Sequence, residues 1–338
     1  VAESKLPDKL ELIWKFKTGG PVKSSAIVRD SHVYVGSDDG HVYALSLADG
    51  KLIWNFQADS AIEAPPCYAK DAVVVGSTAG TLYALQGKPT PLWEYKTGGK
   101  IVGSANVCQT NNQERPRIVV GSYDNKLHCV DAETGKAVWV FESESYINGA
   151  PAVSSGNVIF GGCDSKVYLV AAADGKLIQK IEGGAYVAGS VAADDPFRGQ
   201  AFLGHYGNEV LCVDFNESKI VWTYKDRNFP YLSSPALTEK HVLIGGRDKR
   251  LHCLARDTGK QVWEFATGGN VDSSPVVCGD KVVVGSADGR LYVVRLNTGK
   301  ELWSYEVGAA ITASPAVADG MVVIGAHDGT VYAFGNKK

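Results

Sequence analysis

The sequence predicts an all-β fold, an eight-bladed β-propeller of four-stranded antiparallel blades closed by the N-terminal strand joining the last blade. Three observations predict it. A glycine that ends a short apolar run recurs at Gly36, Gly76, Gly121, Gly161, Gly204, Gly245, Gly285 and Gly325, at spacings of 40, 45, 40, 43, 41, 40 and 40 residues. Each is followed by a second apolar run and then by a strand carrying tryptophan. Runs of four to six residues rich in Val, Ile, Tyr and Phe, bounded by Gly, Asp and Asn, are the pattern of short strands and tight turns. Four such strands every 40 or so residues, with no long helical period, is a propeller blade.

Each element of the unit follows from its residues. The first is a small-residue segment, as in Ser24-Ser25-Ala26, Gly149-Ala150-Pro151, Ser233-Ser234-Pro235, Ser273-Ser274-Pro275 and Ala313-Ser314-Pro315, suited to the crowded ground near an axis. The second and third are the apolar runs either side of the glycine turn, as in the segment from His32 to Leu45. The fourth carries Trp54, Trp93, Trp139, Trp222, Trp263 and Trp303, with Trp14 as a first copy at the start and Gln179 where one copy has lost its tryptophan. Eight copies of the first three elements and a Trp strand at both ends of the series mean that the ends complement each other. Residues 12–16 therefore read as the closing strand of the blade formed by 313–334, residues 1–11 as an N-terminal extension, and 1–338 as a single propeller domain. Closure leaves no open sheet edge, so removal of residues 1–18 should unlatch the ring.

Charge and cysteine usage narrow the function classes. With 34 basic and 37 acidic residues and a formal net charge of -3, the chain lacks the basic footprint of a nucleic-acid binder. Its apolar stretches are strand-sized, far short of the roughly 20 residues of a spanning helix. Seven cysteines cannot all pair within one chain. Cys129, Cys212 and Cys253 share one repeat slot, and Cys108 and Cys278 another, as small buried filler residues do. Neither a zinc spacing nor a vicinal cysteine pair is present, so no metal is expected. The start at Val1 rather than at an initiator Met is compatible with a leader, an anchor or a further domain upstream.

The unit Asp257-Thr-Gly-Lys-Gln-Val-Trp263, repeated around Trp139 and Trp303, resembles the tryptophan-docking motif of pyrroloquinoline-quinone (PQQ) type β-propeller repeats. The resemblance covers nearly the whole chain. It implies that the tryptophans form a girdle between adjacent blades, with a structural and not a catalytic role. The family includes quinoprotein alcohol dehydrogenases, the outer-membrane assembly propeller BamB, and sensor domains. Its dehydrogenases resemble one another in a Cys-Cys disulfide over the quinone, a tryptophan beneath it, and Asp, Glu and Asn around calcium. None of these transfers here, because no Cys-Cys pair exists and no tryptophan lies outside the repeat slots. PQQ with calcium is therefore not expected as a cofactor.

Two loop sets share one face of such a ring, those leading into the small-residue strands and those at the glycine turn. In the first, Val22, Ile62, Ile101, Ile147, Val187, Tyr231, Val271 and Ile311 hold one apolar slot. The next slot holds Lys23, Glu63, Val102, Asn148, Ala188, Leu232, Asp272 and Thr312, which share no property that packing would impose. If it rings the channel mouth, a small molecule or ion meets Lys23, Glu63, Asn148 and Asp272; the bland alternative is a solvated rim. The longest loop on this face, 225–231, should bring Arg227, Phe229 and Tyr231 beside His205, Tyr206 and Arg247, residue types that anchor binding surfaces. The alternative there is a loop whose aromatics cover a blade junction. His128 and His252 replace the repeat tyrosine and read as packing residues, and the insertions 109–117 and 194–200 as solvated loops.

No nucleophile elbow, HExxH, EF-hand or Walker loop occurs. The reading is a non-enzymatic binding or scaffold propeller, periplasmic or at the cell surface, presenting the face with the 225–231 loop to a protein or small ligand. The alternatives are a quinone-dependent oxidoreductase or its degenerate relative, and the sensor domain of a larger membrane protein.

Overall fold

A computed structural model describes residues 5–88, 90–108, 115–194 and 196–336. Among these residues there are 32 strands and no helix, arranged as eight four-stranded sheets. We number the blades along the chain: 27–57, 67–96, 106–142, 152–182, 192–224, 236–266, 276–306, and 316–335 with the N-terminal strand. Within a blade, strands A to D run from the axis outward and pair antiparallel in sequence order. Blade 8 departs from this order only in its source of strand D. Glu11–Lys17 lies beside Thr330–Gly335, in the register Trp14 to Ala333 and Lys17 to Thr330. The ring is thus shut by pairing across the whole length of the chain, as expected. The 109–114 part of the first predicted loop lies outside the described residues.

The core consists of eight apolar seams, each between two neighbouring blades. Val42, Phe56, Val73 and Leu85, for instance, fill the seam between blades 1 and 2. The repeat glycine explains how the wedges approach so closely. A Cβ at Gly36 would stand 2.1 Å from the Ile62 side chain, at Gly76 2.1 Å from Ile101, and at Gly325 2.2 Å from Val22. The glycine ending strand B of one blade and the apolar residue leading into the next are therefore two halves of one contact, and a methyl group at any of these glycines would force the blades apart.

A second contact uses tryptophan. The indole N–H of Trp14 donates to the Leu47 carbonyl of blade 1 at 2.8 Å, Trp93 to Ala132 at 2.9 Å, Trp139 to Ala172 at 3.0 Å, and Trp263 to Leu296 at 2.8 Å. Each ring lies over a glycine of the next blade's C–D turn. At Gly50, Gly135, Gly175, Gly259 and Gly299 an added Cβ would stand 2.5–2.6 Å from a ring carbon, and φ there is +66 to +71°. Between blades 4 and 5 both halves differ. Gln179 stands in the tryptophan position, opposite Leu169, and donates from its amide to the Ser218 hydroxyl at 2.6 Å. Ser218 replaces the turn glycine and keeps φ at +57°.

Nearer the axis, serine hydroxyls stitch the ring. The backbone N–H of Ala150 donates to Ser190 Oγ, Ser190 to Ser234, Ser234 to Ser274, Ser274 to Ser314, and Ser314 across the closure to Ser25, over 2.8–3.2 Å. Small residues are thus required here by the narrowness of the circle and also as hydrogen-bond partners between blades. All seven cysteines are free; Cys108, Cys129, Cys212, Cys253 and Cys278 are buried.

Candidate functional site

The loops from strand D to A and from B to C emerge on one face and meet through a regular backbone ladder. The N–H of the residue two past the turn glycine donates to the loop carbonyl leading into its own blade: Tyr123 to Lys100, Cys163 to Tyr146, Tyr206 to Tyr186, Arg247 to Pro230. This ladder fixes which side chains are neighbours. All eight residues of the variable slot line a single cavity of 480 Å³ at the channel mouth, with Tyr123 and Arg247 reaching in from the B–C turns. A larger hollow of 700 Å³, bordered by Lys5, Pro7, Ile13 and Met321, lies instead beside the closing strand.

The mouth holds ions of both signs, and they pair with each other. Lys23 Nζ lies 2.6 Å from Asp38 Oδ2 and 2.8 Å from Glu63 Oε1. These bonds hold the ammonium above its usual pKa against a smaller effect of burial. Across the ring, Arg247 grips Asp272 through two bonds of 3.0 Å, which keep the guanidinium charged. Tyr123 donates to Asn148 Oδ1 at 2.5 Å, Asn148 to the Ala188 carbonyl at 2.6 Å, and Thr312 shares a hydrogen bond with His327. Between the two ionic pairs the rim is formed by Val102, Ala188 and Leu232.

The six residues expected to converge around the 225–231 loop take three different places. His205 and Tyr231 are each only 1% exposed, because they fill structural slots: Tyr231 is the apolar residue packed on Gly204. Their polar ends, His205 Nε2 and Tyr231 Oη, are buried without a hydrogen-bond partner. Burial lowers the pKa of the His205 ring and raises that of the Tyr231 phenol. Arg247 turns to the mouth. Arg227 turns away from it and bonds to Asp226, Asp248 and Glu264. Tyr206 and Phe229 alone among the six present large apolar surface to solvent.

They are joined there by two aromatics that the sequence reading missed. Tyr146 and Tyr186 precede the apolar slot in the loops before blades 4 and 5, and with Tyr206 and Phe229 they are 50%, 59%, 49% and 48% exposed. Tyr146 stacks on Tyr123 with ring centroids 5.0 Å apart and planes at 8°. The result is an aromatic arc over blades 3 to 6 that borders the polar mouth. The signal was present in the sequence, since this slot reads Pro21, Ala61, Lys100, Tyr146, Tyr186, Pro230, Asn270 and Ala310 and its two tyrosines are adjacent.

Comparison with known proteins agrees with this architecture. No curated protein matches the chain. Among solved structures it resembles BamB from Moraxella catarrhalis, at 15% identity and a TM-score of 0.80, covering 97% of this chain and 100% of that one. It also resembles the computationally designed Ika8 protein, at 18% identity and a TM-score of 0.81, covering 95% and 98%. Similarity at that identity speaks for the fold alone. A family model described as outer membrane protein assembly factor BamB matches residues 8–113, 110–233 and 247–338, and with eight blades of PQQ-type repeat in place the chain belongs to that family.

Proposed function

We propose that this protein is a non-enzymatic binding propeller that presents the face of the channel mouth to a protein partner. The aromatic arc of Tyr146, Tyr186, Tyr206 and Phe229 carries the reading. Four large aromatic side chains, each about half exposed on adjacent loops of one face, are a surface of the composition that anchors protein interfaces. The mouth beside it suits a rim, since its ions are neutralised by one another and fix register more than they add affinity. A role in the assembly of outer-membrane proteins, in the periplasm or at the outer membrane, agrees with the description of the family.

A photoreactive residue at position 228, exposed beside Phe229 and kept in every variant, should crosslink to a discrete protein in cells of origin. Combined Tyr186→Ala, Tyr206→Ala and Phe229→Ala should abolish that product while leaving the melting temperature within about 2 °C, because exposed side chains contribute little to folding. Retention of the crosslinked partner by the triple variant would refute the reading. Adding pyrroloquinoline quinone with calcium should leave the melting temperature unchanged; a saturable rise would favour a quinone site instead.

A further inference from the structure

In four of the eight blades the aspartate of the B–C turn is held in one way. Asp39, Asp164, Asp288 and Asp328 accept the hydroxyl of a tyrosine four residues on at 2.6–2.7 Å, and Asp39 and Asp288 also accept a backbone N–H from Gly19 and Gly268. Blade 3 substitutes His128 for the tyrosine and remains a closed system. Its ring nitrogen Nε2 lies 3.0 Å from Asp124 Oδ2, the Tyr95 hydroxyl meets Nδ1 at 2.9 Å, and the Gly98 N–H still reaches Asp124. A neutral imidazole with its proton on Nε2 satisfies every group there.

Blade 6 repeats the imidazole and its two contacts but differs in what surrounds them. His252, fully buried, sets Nε2 3.1 and 3.2 Å from the two oxygens of Asp248, whose side chain is 2% exposed. The Tyr224 hydroxyl lies 3.1 Å from His252 Nδ1, but it gives its own proton to Gln261 Oε1 at 2.7 Å. Tyr224 therefore offers Nδ1 an oxygen lone pair. With Nδ1–H turned to Tyr224, Nε2 meets the carboxylate either through a second ring proton or as a lone pair with a cation between them. The longer 225–231 loop supplies a second carboxylate, Asp226, and ligand atoms of Asp226, Asp248 and His252 lie within 4.8 Å of one another. Tyr231 Oη is buried and unpartnered, and its ring lies edge-on to His252 with centroids 5.3 Å apart. One guanidinium nitrogen, Arg227 Nη1, lies 2.7 Å from Asp226, 3.1 Å from Asp248 and 3.4 Å from Glu264.

We infer that Asp226, Asp248, His252 and the Tyr231 hydroxyl form a site for a first-row divalent cation of the zinc type at the junction of blades 5 and 6, in competition with the Arg227 guanidinium. An imidazole with carboxylate and phenol oxygens suits such an ion better than calcium. The His252 to Tyr224 to Gln261 chain is the outer-shell support that fixes a ligating ring. When the ion binds, Arg227 retains Glu264 as its partner.

The test uses the whole chain with Zn(II) in thermal denaturation and Co(II) in visible absorbance. Zn(II) at about 100 times Kd should raise the melting temperature by about 4 °C, and Co(II) should produce a saturable d–d band displaced by Zn(II). Asp226→Asn, at an exposed position, and His252→Tyr, which gives blade 6 the tyrosine that five other blades carry, should each lose both signals. Arg227→Gln should shift both titrations to lower ion concentration by removing the rival cation. His128→Tyr should leave both unchanged. Absence of both signals in the unmodified protein, or their persistence in His252→Tyr, would overturn the site, as would an imidazolium at position 252 indifferent to either ion.

Discussion

The seam between blades 4 and 5 allows a test of how the tryptophan and glycine contacts act together. Gln179→Trp restores the residue found at the other seams, and Ser218→Gly restores its partner. Five of the seven tryptophans are nearly buried; covering about 200 Å² of apolar surface is worth about 5 kcal/mol at most, counted from an extended chain. The existing Gln179 to Ser218 bond, about 1 kcal/mol, is lost, and ordering the indole costs about another. Since Gln179 already covers part of the slot, about 2 kcal/mol of net gain remains for the double variant. Neither single change should give it. With Ser218 in place the indole meets a Cβ where the other seams would leave 2.5–2.6 Å, so Gln179→Trp should be neutral or destabilising. Ser218→Gly relieves a positive φ but loosens the unfolded chain and breaks the bond, and these effects nearly cancel. Urea denaturation of the four proteins forms a double-mutant cycle, with an expected coupling of about 2 kcal/mol. Additivity within about 0.5 kcal/mol would refute the idea that the two positions are halves of one contact.

Other outcomes follow from the same structure. Trp14→Ala removes the indole and its bond to Leu47 at the closing seam and should cost about 3–5 kcal/mol; a loss below about 1 kcal/mol in urea would show that the closing strand holds without it. Arg247→Ala leaves Asp272 without its two bonds at the mouth but in contact with solvent, so stability should fall by only about 1 kcal/mol, checked by the same denaturation. Burial pushes the thiols of Cys129, Cys212 and Cys253 up to about 12. Ellman's reagent at pH 8 should leave them unlabelled until the chain unfolds. Because the unfolded chain releases these protons first, stability should be flat below about pH 9 and fall as pH rises toward 12; labelling of the native protein at the rate of a free thiol would refute that environment.

The fold was open to reading because its constraints repeat. Gly36 and Ile62 are distant in sequence, but the recurrence of both types eight times marks each as a packing position, and the structure shows that they touch. The mouth was legible for the opposite reason, since the slot of Lys23, Glu63 and Asn148 varies where packing would have imposed likeness. Tyr231 misled, because a phenol in an apolar slot has the composition of a binding residue and the location of a core one. His205 misled similarly, as it stands where four of the other turns carry a serine, Ser37, Ser77, Ser122 and Ser286, that they use internally. The gathering of Asp226, Asp248 and His252 could not be read at all. It depends on the path of one longer loop and on which way a hydroxyl donates, and neither leaves a spacing in the sequence.

Closing the ring with the first strand has a consequence for biosynthesis. Residues 11–17 leave the ribosome before every other strand of the ring, and the strand they pair with follows all the others, so an edge of alternating apolar residues stays unmatched while the other blades take shape. Contacts of such sequence separation form slowly, and a waiting edge invites pairing with a neighbouring nascent chain. Glu11, Lys15 and Lys17, all exposed along that strand, are charges of the kind that guard against it. Neutralising them should leave the finished ring nearly as stable and lower the yield of protein that reaches it.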